Sequence, residues 1–328
     1  MKSRQLGSAG FNVSEISLGC WQLGADWGKS INKKSSFSIL QEAVNNGVTF
    51  FDTADVYGNG RSESIIGEFL KTTDKKIKVA TKFGRAGETY PNNYTKDVLR
   101  SSIEASLERL KVNSLDLVQL HCIPTEELRK GDVFEWLREL KNEGLIKHFG
   151  ASVESVEEGL LCMQQEELLS LQVIFNIFRQ KLTTELLPQA QEKGVGIIVR
   201  LPLASGLLSG KFNKNTTFLE NDHRNYNKNG DAFNVGETFA GLPFETGIEL
   251  VEEIKNNMLT TKATMAQFAQ RWILDHQAVS CIIPGASSPK QIEMNAAVSE
   301  LDSLSDETHN KLFKFYTENV AQAIRGPY

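Results

Sequence analysis

Residues 48–57 read VTFFDTADVY, and the rest of the chain is best understood from this stretch. Its first four residues are β-branched or aromatic, the composition of a short buried strand. The run ends on a carboxylate, Asp52, where strand gives way to loop, and Tyr57 follows five residues later. The same pattern recurs downstream. Residues 78–82 (KVATK) and 115–121 (LDLVQLH) are again short, largely apolar runs, ending on Lys82 and His121. Five more candidate strands lie at 15–18, 148–152, 171–175, 196–200 and 280–284, bounded by Gly, Pro, Asn or Asp.

The segments between these runs have helical period. Met265, Phe268, Ala269, Trp272 and Ile273 form an i, i+3, i+4, i+7, i+8 stripe, and Leu99, Ile103, Leu107 and Leu110 form another after Thr95. Ser155 and Glu158 have the spacing of a capping box. Gly47, Gly144 and Gly194 stand where helices need a left-handed terminator, and Ser288-Pro289 reads as N-cap and first helical residue. Further helices are expected at 246–257 and at 305–319, the second with Leu312, Phe313 and Tyr316 on one side.

Eight strands alternating with helices argue for parallel pairing, and closure leaves no edge strand. The expected architecture is therefore α/β: a (β/α)₈ TIM barrel with an N-terminal β-hairpin and extra C-terminal helices, one domain over residues 1–328. A doubly wound open sheet is the rival. One connection, from 207 to about 245, is unusually long and rich in Asn and Gly, and would overhang the functional face of a barrel.

Composition narrows the function. A formal net charge of −5 gives no electrostatic reason to expect nucleic acid or an anionic membrane as partner. No apolar run approaches signal-peptide or transmembrane length, so a cytoplasmic location is expected. The four cysteines and five histidines are scattered, which argues against a disulfide framework and a metal site. Residues 206–211 (GLLSGK) are one residue short of a phosphate loop and lack its Ser/Thr. No G-x-G-x-x-G opens a helix after the first strand, and 150–152 (GAS) lacks the second glycine of a nucleophile elbow.

What remains is the set of ionisable strand ends. In a parallel barrel Asp52, Lys82 and His121 are neighbours at roughly 4.8 Å per strand step, on the face that carries active sites, and Tyr57 can fold back over them. This set suits proton donation to a carbonyl oxygen while a hydride attacks the carbon. A phenol with pKa near ~10 is a weak donor at neutral pH, and lowering it by about 3 units takes roughly 4 kcal/mol. A lysine ammonium about 4 Å away supplies about that much at an effective dielectric of about 20. Asp52 would hold the ammonium, and His121 would donate a hydrogen bond to the substrate oxygen.

With these residues in view, the chain resembles the aldo-keto reductase superfamily. The resemblance runs through 6–24 (LGSAGFNVSEISLGCWQLG), 51–63 (FDTADVYGNGRSE), 80–85 (ATKFGR), 118–122 (VQLHC), 150–152, 171–176 (LQVIFN), 200–211 (RLPLASGLLSGK) and 282–295 (IIPGASSPKQIEMN). It implies a (β/α)₈ barrel whose catalytic tetrad corresponds to Asp52, Tyr57, Lys82 and His121. It also implies a nicotinamide dinucleotide, NADP(H) in preference to NAD(H), and a small-molecule aldehyde or ketone substrate, sugar-derived compounds included. Ser152 and Gln172 match positions that hold the carboxamide. Val153 stands where the family often has Asn, so one hydrogen bond is either missing or supplied by Asn176. Arg200 replaces an aromatic ring that stacks on nicotinamide in many members. The run Leu201, Pro202, Leu203, Ser205, Gly206, Leu207 and Lys211 matches the pyrophosphate loop. Gly285, Ser287, Gln291 and Asn295 match the adenosine end, where Lys290 is a candidate partner for a 2′-phosphate. Trp21, beside the same site, joins Phe83 and Phe178 as candidates to line the pocket. The alternative function, also from the resemblance, is a cofactor-binding regulatory subunit like the potassium-channel β subunits.

Overall fold

The computed structural model describes residues 1–24, 31–259 and 262–328. The chain opens with an antiparallel hairpin, β1 (Ser3–Gln5) and β2 (Asn12–Ser14). Eight parallel strands follow: β3 (Leu18–Gly19), β4 (Phe50–Asp52), β5 (Lys78–Phe83), β6 (Leu117–His121), β7 (Phe149–Ser152), β8 (Leu168–Ile174), β9 (Gly196–Arg200) and β10 (Val279–Ile282). Each pairs with its predecessor in sequence order from β3 to β10. The two end strands meet across a seam, where Ser17 N donates to Ile282 O, Ile282 N donates to Glu15 O (both 2.9 Å), and Gly19 pairs with Gly285. The sheet is thereby a nearly closed barrel, and the open-sheet alternative is excluded.

The first strand differs from its expected extent of 15–18. Only Leu18–Gly19 pairs with β4, while Glu15 and Ser17 bond through their backbone to Ile282 at the seam. The strand expected at 171–175 begins at Leu168, where the chain already pairs with Phe149. Helices fill the connections, among them Lys33–Asn45, Arg61–Leu70, Lys96–Leu110, Asp132–Asn142, Leu186–Lys193 and Met265–Leu274. Gly194 ends one of them at φ 68°, a conformation any Cβ would strain. The capping box expected at Ser155 is half formed: Ser155 Oγ accepts from Glu158 N at 3.1 Å, but the Glu158 carboxylate takes Glu154 N–H. A complete box caps Met265–Leu274 through Thr264 and Gln267. The added helices are Phe244–Asn257 and Asp306–Phe315, the second running on into a wider turn at Tyr316–Val320. Among the described residues no helix is long and apolar enough to cross a membrane.

Strand alternation sorts the side chains into two cores. Phe51, Val79, Val118, Leu171, Ile197 and Val199 pack outward under the helices. Phe50, Ala80, Leu117, Ile198 and Cys281 turn inward and meet Leu6, Val13 and Phe11 from the hairpin, which plugs the lower end. Phe50 is completely buried, with the Phe11 ring 6.2 Å away. Phe50→Ala should therefore lower the unfolding free energy by about 3–5 kcal/mol in urea denaturation. A loss under about 1 kcal/mol would mean that the hairpin does not seal a packed floor.

Candidate active site

The alternation that fills the floor with apolar side chains carries polar ones upward. Two residues beyond Phe50, Ala80 and Leu117 along their strands come Asp52, Lys82 and Gln119, and they enter the same interior. Lys82 Nζ donates to Asp52 Oδ1 at 2.5 Å, to Thr53 O at 2.7 Å and to Tyr57 Oη at 3.4 Å. Asp52 Oδ2 accepts from Gln119 Nε2 at 3.0 Å and Gln172 Nε2 at 2.7 Å. The lysine side chain is wholly shielded from solvent. Burial opposes its charge, yet the charge and hydrogen bond of Asp52, with Tyr57 beside them, hold Lys82 above its ordinary pKa.

Tyr57 folds back as the spacing predicts, its ring stacked on Trp21 (centroids 5.9 Å, 20° between planes) and edge-on to His121 (5.9 Å, 84°). Its phenol is pushed up to about 12, first by burial; the Lys82 charge pulls it down, and Asp52 and Glu237 add to the rise. This reverses the balance expected from the lysine alone. Burial outweighs the ammonium's pull, and the Asp52 and Glu237 charges act on the same side as burial. His121 is held well below its ordinary pKa by burial and by the charges of Lys82, Arg85 and Arg200, so it is neutral at pH 7. Its Nδ1 is buried with no hydrogen-bond partner.

These groups open into a cavity of about 1390 Å³. Common small-molecule sites span about 300–1,000 Å³, so there is room for more than one ligand. Asp52, Tyr57, His121, Trp21, Gln172, Arg200, Leu201, Pro202, Leu203, Ser205, Gly206, Lys211, Gly285, Ser287 and Gln291 all line it. Ser152 stands just behind, its Oγ donating to Gln172 Oε1 at 3.4 Å. Leu207 is buried against Gly247 instead, and Asn295 Oδ1 accepts from Gln270 Nε2 at 3.1 Å away from the wall. Phe83 and Phe178 pack in the core rather than the pocket. Asn176 is occupied in bracing the loop, donating to Leu201 O and accepting from Phe178 N. Lys290 is exposed on the helix Pro289–Ala296. Leu201, Ala204 and Ser205 all have left-handed φ, an unusual cluster of strained residues at the centre of the wall.

Around Arg200 stand three charged side chains not singled out from the sequence, Arg85, Glu154 and Glu237. Arg85 donates to Glu237 and Glu154, both at 2.9 Å, and Arg200 Nη1 lies 3.4 Å from the same Glu237 oxygen. Arg200 Nη2 also reaches Cys122 Sγ at 3.5 Å and Val153 O at 3.3 Å. Cys122 Sγ and the two carboxylates lie within 4.8 Å of one another. Gln119 was also missed, though its alternation with His121 in VQLH carried the signal.

A family model described as "Aldo/keto reductase family" matches residues 15–316. The chain belongs to this family. A probable aldo-keto reductase of Glycine max is 28% identical over 94% of this chain and 87% of its own length. A glycerol dehydrogenase from Gluconobacter oxydans superposes with a TM-score of 0.80 at 27% identity, covering 99% of this chain and 98% of that one. A probable voltage-gated potassium channel β subunit of Arabidopsis thaliana is 30% identical over 90% of both chains. The fold and the oxidoreductase class follow from this membership.

The paired carboxyls make the site sensitive to pH. Burial, and then the Glu237 charge, push Glu154 up to about 7 against the pull of Arg85 and Arg200. Glu237, also buried, is nevertheless held down by Arg200, Arg85 and a hydrogen bond from Glu154. A raised acid stabilises the fold below its unfolded pKa and loses that contribution as pH rises through its folded value. The melting temperature should accordingly fall between pH 5 and 8, and Glu154→Gln should flatten the fall. Half-buried Asp55, raised to about 6 chiefly by desolvation, supplies a residual slope of the same sign. An unchanged profile in the variant would contradict this assignment.

Proposed function

We propose that the protein reduces an aldehyde or ketone, including sugar-derived ones, to an alcohol with a nicotinamide dinucleotide, NADP(H) in preference to NAD(H). The observation that carries this reading is the shared ammonium: Lys82 Nζ bridges a carboxylate and the only phenol that faces His121 among the described residues. The residues present fit the cofactor. Arg200 Nε and His121 Nδ1 are buried polar atoms without protein partners, on residues that line a cavity of about 1390 Å³. Ser152, Gln172 and Arg200 would hold the carboxamide end, residues 201–211 the pyrophosphate, and Gly285, Ser287 and Gln291 the adenosine. The nicotinamide supplies, when bound, a hydride for the carbonyl carbon.

Tyr57 gives its proton to the carbonyl oxygen as negative charge develops there. A phenol held near 12 remains a stronger acid than the alcohol it produces, so the transfer runs in the required direction. Lys82 stabilises the resulting phenolate, and Asp52 keeps the lysine charged and in place. His121, neutral, orients the substrate oxygen through a hydrogen bond and does not compete as an acid. Four free, buried cysteines agree with a reducing, cytoplasmic setting.

Tyr57→Phe removes only the proton-bearing oxygen and keeps the ring against Trp21. Turnover should fall by at least about 10²-fold, as general acid catalysis is worth about 10²–10⁴. Fluorescence titration should show cofactor binding nearly intact, with NADPH tighter than NADH. A variant that keeps more than about a tenth of kcat, with chemistry rate-limiting, would exclude Tyr57 as the acid. Wild-type protein that binds NADPH but oxidises it with no aldehyde would favour a regulatory subunit.

A further inference from the structure

The wall beside His121 carries three charged side chains that this chemistry does not use, Arg85, Glu154 and Glu237, packed around Arg200 of the proposed cofactor site. Arg85, Glu154 and Arg200 come from the ends of three strands, and Glu237 from the long loop; all four line the cavity with Tyr57 and His121. Arg85, Glu154, Arg200 and Glu237 thus share one cavity wall with the phenol and the imidazole. Arg85 and Glu154 each leave 18% of the side chain open to solvent, and Glu237 leaves 9%. These are ion pairs partly open to the cavity.

Their pairing restricts what can dock against them. Two guanidinium groups face two carboxyls, and the two bonds of Arg85 to them are both 2.9 Å long. A substrate carboxylate or phosphate would meet the ionised Glu237, and Glu154 as well once it ionises near pH 7, beside the arginines. An ammonium would meet Arg85 and Arg200. A hydrocarbon would displace water and return no hydrogen bond, at the full desolvation cost. A hydroxyl both donates and accepts, so it can take the place of water on either partner. Arg85 has N–H groups beyond the two already engaged, and each carboxylate oxygen has a second lone pair.

We propose that Arg85, Glu154 and Glu237 form a specificity wall that selects neutral, hydroxylated carbonyl compounds over apolar or anionic ones of similar size. The proposal rests on the reductase reading above. The test uses the full chain with saturating NADPH and three short carbonyl probes: glyceraldehyde, propanal and glyoxylate. Glyceraldehyde should exceed both others in kcat/KM by at least about tenfold, the effect of one hydrogen bond to a charged group. Arg85→Met should narrow that preference, mainly through a higher KM for glyceraldehyde, and Arg85→Lys should restore part of it. Wild-type values within about threefold for the three probes would overturn the proposal. So would an Arg85→Met loss equal for glyceraldehyde and propanal, which marks a purely structural clamp on the loop. No turnover of any probe by wild-type protein with NADPH bound would instead overturn the reductase reading on which the proposal rests.

Discussion

An ammonium can be enclosed in a protein only where charge and acceptors replace the water it loses, and Lys82 has all of them. Its side chain is fully enclosed, and Asp52, Thr53 and Tyr57 accept its three protons. Asp52 in turn is held by Gln119 and Gln172. The effective cost of burying each ion is several kcal/mol, which this network offsets; deleting one partner of such a pair typically costs about 3–5 kcal/mol. The network spans β4, β5, β6 and β8, so it holds only if the strands keep their observed register. Slipping β5 by one residue would turn Lys82 out under the helices and bring Thr81 or Phe83 inward. Fold and site are in this sense one structure.

The same enclosure sorts the roles of the ionisable groups. Burial raises the Tyr57 phenol and lowers the His121 imidazole, so the first keeps its proton and the second stays uncharged at pH 7. Lys82 stays charged because its carboxylate is within 2.5 Å. The surrounding wall is closed from above by the long loop, whose Glu237 is tied to Arg85 and whose backbone at that residue accepts from Ser205 Oγ at 3.0 Å. Aromatic side chains of the loop, such as Phe218 and Phe233, line the cavity from that side.

Much of this could be read from local pattern. The strand ends Asp52, Lys82 and His121 were legible because each closes an apolar run, and Tyr57 because a five-residue spacing lets a loop fold back. The helix terminators at Gly47, Gly144 and Gly194 have the positive φ their positions implied. What escaped notice depends on distance along the chain. Arg85 meets Glu154 across 69 residues and Glu237 across 152, and no spacing rule spans such separations. The split of β3 at the barrel seam follows from closure, which no single segment encodes. The phenol's raised pKa reflects burial and the Asp52 and Glu237 charges, which the spacing of Lys82 and Tyr57 does not convey.

Tyr57, Lys82, Asp52 and His121 are proposed to serve a hydride reduction of a carbonyl group. The most direct measurement follows a label. NADPH deuterated at the transferring C4 position is incubated with the protein and glyceraldehyde, and the alcohol is analysed by NMR and mass spectrometry. The account predicts one deuterium on the carbinol carbon and none elsewhere. Alcohol formed without deuterium on that carbon, or cofactor that binds while no alcohol appears, would contradict it.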